Sequence, residues 1–109
     1  VIVIDVRNGE LMGALAMEAR ERGLMNAAIV SLIGGVDAFT VSTMPADDAT
    51  KDVITAYEVP AEMHGSGEIR GGAVHVHATF GVEGDRAVVG HVHEAHIGTH
   101  FARAYLIPL

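Results

Sequence analysis

Apolar and polar positions alternate with two different periods along this chain, and the change of period marks its elements. The opening VIVIDV (1–6) is β-branched and almost wholly apolar, which predicts a buried strand. In GELMGALAMEARERGL the period becomes helical. Leu11, Leu15 and Ala19 fall at i, i+4 and i+8 with Met12 and Ala16 alongside, while Glu18, Arg20, Glu21 and Arg22 lie mostly on the wet side. Asn8 is the expected cap and Gly23 the expected stop. Strand patterns then recur in NAAIVSLIGG, VDAFTVSTM, VITAYEVP, AVHVHATFGV, RAVVGHVHEA and THFARAYLIPL. Between them, ADDATKD reads as a polar loop whose acid spacing matches no Ca²⁺ loop. AEMHGSGEI reads as a short segment broken by glycines, and RGG as a turn. The sum predicts an α+β domain over residues 1–109, with one main helix packed on a mostly antiparallel, roughly seven-stranded sheet. No repeat, linker or low-complexity tract divides it.

Alternation in the two late strands separates a core face from a polar one. Val74, Val76, Ala78 and Phe80 point one way, and His75, His77 and Thr79 the other. In the next strand Val89, His91 and His93 share a face against Val88, Gly90 and Val92. A three-residue loop, Glu83–Gly84–Asp85, would pair Val82 with Arg86, His77 with His91 and His75 with His93. Opposed residues have Cβ atoms about 4.5–5.5 Å apart, so four imidazoles would share one patch. Three neutral imidazoles suit Zn²⁺ or another divalent transition metal, and an open fourth position is the arrangement of catalytic rather than structural zinc. The alternative is strand histidines that face solvent or a subunit contact.

Composition narrows the chemistry. Half of the 109 residues are apolar and 19% are charged, which is the make-up of a folded domain with a core of its own. With no cysteine there is no disulfide, thiolate nucleophile or cysteine-held metal, so any metal site must use His, Asp or Glu. A net charge of −7, from seven basic against fourteen acidic residues, argues against direct nucleic-acid binding. The longest apolar run, AAIVSLI, is too short to span a bilayer, and no signal-like segment opens the chain. A cytoplasmic protein is expected. No P-loop, dinucleotide fingerprint or nucleophilic-serine motif is present, and GSGEIRGG precedes a strand rather than a helix.

HVHATF followed by VVGHVHEA resembles the paired signature, HLHA then GGHL, of the plant and prokaryote conserved (PPC) domain. The GELMGALAMEARERGL helix, the glycine pair of SLIGGVDAF and Glu62 ahead of the glycines in EMHGSGEI agree in order, so the resemblance covers nearly the whole chain. It implies an α+β fold assembled as a homotrimer. In plants the domain follows AT-hook segments that bind DNA, and free-standing bacterial members are labelled DNA-binding. This chain has no Arg-Gly-Arg-Pro-type core, so what the resemblance implies here is a protein-association module. The family's fold is similar to that of alpha-acetolactate decarboxylase, whose zinc is held by HxH and a later His. Carried over, that pattern selects His75, His77 and His91 as metal ligands. The chain departs from the pattern in having Val89 before Gly90, Val92 for Leu, and Arg103 where members carry a nearby Glu.

Glu62 is the expected general acid or base, with a salt bridge in the trimer contact as its alternative role. His93 is a fourth ligand or a neighbour, His64 either supports the site from beside Glu62 or is structural, and His96 and His100 are exposed or interfacial. Arg103 would hold an anionic group or pair with Glu62 or Asp85. Two functions follow. One is a zinc site that polarises a carbonyl or activates water for a small-molecule substrate. The other is a non-enzymatic module that recruits a protein partner.

Overall fold

One antiparallel sheet takes up most of the chain. The computed structural model describes residues 1–109. In chain order its elements are β1 (Ile2–Val6), β2 (Gly9–Glu10), α1 (Leu11–Glu21), β3 (Ala27–Val36), β4 (Ala38–Thr43), β5 (Val53–Tyr57), β6 (Ala61–Arg70), β7 (Ala73–Val82), β8 (Arg86–Ile97) and β9 (Ala102–Pro108). Across the sheet the order is β1-β9-β3-β6-β7-β8-β4-β5, with β2 joined to β8. The α+β expectation is met, with nine strands in place of about seven.

The strand that alters the count most is β6. Its glycines weaken any strand pattern, since glycine gives up more backbone entropy on ordering than any other residue. Here they permit close approach. A Cβ on Gly65 would lie 2.5 Å from the His77 carbonyl oxygen, and one on Gly67 would strike the carbonyl of His75. Ladders to β3, interrupted by one bulge, and to β7 from Glu62 to Arg70 offset the entropy. Gly71 and Gly72, at φ +57° and +83°, make the two-residue turn that joins β6 to β7 in register.

The helix buries the expected stripe, with Leu11 and Leu15 fully excluded from water and Ala19 nearly so. Its C-terminus also follows expectation. Gly23, at φ +67°, donates to the Arg20 carbonyl, and Leu24 donates to the Ala19 carbonyl and is itself buried. The N-terminus departs from it, because Glu10 rather than Asn8 is the cap. Its carboxylate accepts from the amides of Met12 (2.9 Å) and Gly13 (2.8 Å), and also from Ala95 in β8 (3.1 Å). A longer side chain was needed because one group serves both a helix end and a strand.

Core residues of the sheet face α1, and Phe39 stacks between Phe80 (4.1 Å) and Tyr57 (5.0 Å) there. Two bulges keep the faces in phase. Near Val30 and Ser31 one lets both Ile29 and Leu32 stay buried, and at His93 another does the same for Val92 and Ala95. The opposite face of the sheet has no helix over it.

Replacing Glu10 with Ala removes all three bonds, and we expect a loss of about 2 kcal/mol in urea unfolding at fixed protein concentration. Asn8→Ala should stay within about 0.5 kcal/mol. Equal effects of the two changes would contradict the capping assignment.

Candidate metal centre

The uncovered face carries the histidines. As the spacing predicts, the β7–β8 hairpin pairs Val82 with Arg86 and His77 with His91. Its loop, Glu83–Gly84–Asp85, takes positive φ at Gly84 (+86°) and Asp85 (+58°), and Asp is among the residues that tolerate that region. His75 and His77 sit two apart on β7 with Val76 and Ala78 buried beneath, so all three imidazoles project from the same side.

One ligand nitrogen from each of His75, His77 and His91 lies within 4.8 Å of the other two, and the Nε2 atoms of His75 and His77 are 3.2 Å apart. Two nitrogens bonded to one zinc at 2.0–2.1 Å in tetrahedral geometry stand about 3.3 Å apart. The His75–His77 pair already meets that spacing, and the His91 nitrogen lies within 4.8 Å of both. The donor set fits a divalent transition ion with an open position.

Removal from water is the main cause that lowers the pKa of His91, and repulsion from His75, His93 and His77 adds to it, while Asp52 pulls the other way. The neutral imidazole, the form that binds metal, is therefore favoured. On β6, Glu68 lies opposite His75, with Oε2 3.7 Å from Nδ1. A carboxylate on the far nitrogen of a ligand histidine is the usual means of fixing its ring.

Several expected neighbours lie elsewhere. His93 was expected opposite His75, but β7 and β8 stop pairing at His77 and His91, and beyond them β8 pairs with β2 on that side through Glu10 and His96. The His93 ring stays 4.9 Å from His91 and outside the convergent group. Glu62 is not brought to the triad. It faces Gly35 and Gly81, four residues along β6 from Ser66 and so about 13 Å away, beside His100 in a cavity of its own. His64 is exposed opposite Thr79, and His96 is exposed 3.7 Å from Glu94. Arg103 pairs with neither Glu62 nor Asp85. It donates to Asp5 on β1 at 2.7 Å and lies over the Phe101 ring, and that bond raises its pKa. Glu68, the carboxylate at the site, could have been found from the sequence. A two-glycine turn after Arg70 sets it opposite His75 once residues 61–70 are read as a strand.

The chain is thus a small α+β domain whose sheet has one bare face carrying three convergent histidines. The chain matches the Plants and Prokaryotes Conserved (PCC) domain, the family written PPC above, over residues 1–106, and it belongs to that family. Solved structures share its fold. A candidate DNA-binding protein from Ralstonia eutropha JMP134 superposes at TM-score 0.83 with 19% identity, over 98% of this chain and 76% of that one. A metal-containing protein from Archaeoglobus fulgidus does so at 0.82 with 21% identity, over 99% and 78%. The expected likeness to alpha-acetolactate decarboxylase is also found. A Staphylococcus aureus protein of unknown function, similar to that enzyme, matches at 0.57 with 15% identity, over 99% of this chain and 52% of that one. No curated protein is a significant sequence match. The description of the Ralstonia protein runs against the expectation that nucleic acid is not a partner, but at such identity the likeness extends to the fold alone. In this chain Arg22, Lys51, Arg70 and Arg103 each lie within 4 Å of a carboxylate. No helix is long and apolar enough to cross a membrane.

Because the folded-state pKa of His91 lies below its ordinary 6.5, the unfolded chain binds the extra proton. Metal-free protein should therefore keep its stability above about pH 6.5 and lose some of it as pH falls through and below that value. Urea midpoints at about pH 7.5 and 5 measure the loss, and His91→Ala should reduce it. An unchanged loss in that variant would assign it to other groups.

Proposed function

We propose that this chain acts as a cytoplasmic PPC-type domain that binds one divalent transition metal, zinc first, through His75, His77 and His91. The observation that carries the reading is the convergence of three ligand nitrogens within 4.8 Å, two of them already at zinc-ligand spacing. An all-imidazole donor set suits zinc along with copper, iron and nickel, and three histidines with an open fourth position is an arrangement that catalytic zinc adopts. When bound, the ion would supply Lewis acidity toward a carbonyl or a water. The chain's own residues do the rest. Glu68 steadies the ring of His75 and, 3.7 Å from its Nδ1, takes over the proton-handling role first expected of Glu62. Ser66, opposite His77, offers a hydroxyl to a bound molecule.

A second reading, a protein-association module, has one observation in its favour. Val30, Ile33 and Val89 are large, apolar and exposed on the uncovered face. The homotrimer implied by the family resemblance would be one way to cover them, and it leaves room for a metal as well.

Elemental analysis of untagged, chelator-free protein tests the first reading. Near-stoichiometric zinc or another transition metal is expected, and His77→Ala should lose most of it, since removing one of three ligands leaves too few to hold the ion. Retention should also fall below about pH 6.5, where protons compete for the imidazoles. No metal in either protein after incubation with Zn²⁺ would reject the metal centre and leave the association module. Sedimentation equilibrium on the same samples decides the trimer.

A further inference from the structure

The triad opens onto two cavities, and each holds one carboxylate. On the β6 side, Ser66, Gly67 and Glu68 join His75 and His77 around about 310 Å³ with no apolar side chain in the lining. On the β4 side, Asp52 joins His77, His91, Ser42, Met44 and Val89 around about 510 Å³. No lysine or arginine lines either one. Arg70, Lys51 and Arg103 each already have a carboxylate partner. Arg70 meets the outer oxygen of Glu68, Oε1, at 3.7 Å and is largely exposed, which leaves Oε2 toward His75. Lys51 pairs with Asp48. Arg103, the residue best suited to clamp an anion, is bound to Asp5 and lies on β9, separated from β7 by β3 and β6.

A molecule that offers one donor atom to the triad must extend into one cavity or the other, and in both directions it meets a carboxylate. An anionic tail would meet a carboxylate on either side, and the guanidinium close by, that of Arg70, is already paired with Glu68, while an ammonium would find a partner in Asp52 and in the remaining oxygen of Glu68. We infer that the ligand of this site is a small cationic amine with a neutral donor group, and that Glu68 and Asp52 select it against carboxylates and phosphates. The inference rests on the metal reading, because the donor atom needs an ion to reach. It names the substrate class for that centre, and it sets the chain apart from any enzyme of similar fold whose substrate is an anion.

Ethanolamine and glycolate are a matched pair for the test. Each has one hydroxyl, they are similar in length, and their charges at neutral pH are opposite. The protein is loaded with Co²⁺, whose visible absorption reports changes in its ligands, and each molecule is titrated in. Ethanolamine is expected to bind at least about tenfold more tightly, although glycolate has the better intrinsic metal donor. Glu68→Gln combined with Asp52→Asn should abolish or reverse the preference, and the Co²⁺ spectrum before titration shows whether each variant still holds the ion. Asp52→Asn alone should weaken the preference, and it keeps the comparison available if Glu68→Gln loosens His75. Glycolate binding as tightly as ethanolamine, no response to either, or a preference unchanged in the variants would overturn the ligand assignment while leaving the metal centre standing. Failure to take up Co²⁺ at all would overturn both.

Discussion

Burial of Val76, Ala78 and Phe80 against α1 and the neighbouring strands fixes more than the core. Side chains on a strand change face at every residue, so the register that buries these three also sends His75 and His77 outward. A slip of one residue would put two imidazoles into the core and two large apolar groups into water. Full burial of a side chain such as Phe80 is worth roughly 1.5–3 kcal/mol, and the slip would forfeit several such terms together. The stability of the sheet thus sets the direction of the triad, and Glu68 adds a contact to the ring of His75.

The neighbours of β7 sharpen this arrangement. Gly65 and Gly67 let β6 approach where any Cβ would meet the carbonyls of His75 and His77, and this brings Ser66 and Glu68 alongside the imidazoles. On the other side, β8 belongs to β7 only as far as His91 and to β2 from His96 onward. Glu10 fills the gap between these ladders by accepting from Ala95 while capping the helix. The site ends where one strand exchanges partners, which is why three histidines converge and the fourth does not.

What could be read from the sequence was what local rules control. The helix stripe, the glycine stop, the two faces of β7 and the Val82–Arg86 register each follow from periodicity or from one short loop. What could not be read depends on contacts between distant segments. Glycines at 65 and 67 look like breaks until β7 lies beside them. Glu10 is an unfavoured cap type until Ala95 shares it. Asp5 becomes the partner of Arg103 only because β1 and β9 pair at the edge of the sheet. Glu62 is attractive as a carboxylate that could take a proton beside a metal, and the distance along β6 that separates it from the triad is invisible without the ladder. Membership of the family was legible from the two histidine strands and the order of elements around them.

With α1 on one side only, the sheet divides its residues into two populations with little in common. Those beneath the helix are constrained by volume and packing, and almost any change there is felt throughout the fold. Those on the bare face answer mainly to whatever molecule visits them. Ligands, acids and apolar contacts can be exchanged there one position at a time while the scaffold keeps its register. A scaffold of this kind can change its chemistry without changing its shape, and the family fold is shared with the Ralstonia protein at 19% identity. The shape of this chain is shared across its family, and the room for variation lies in the outward-facing side chains of its bare face.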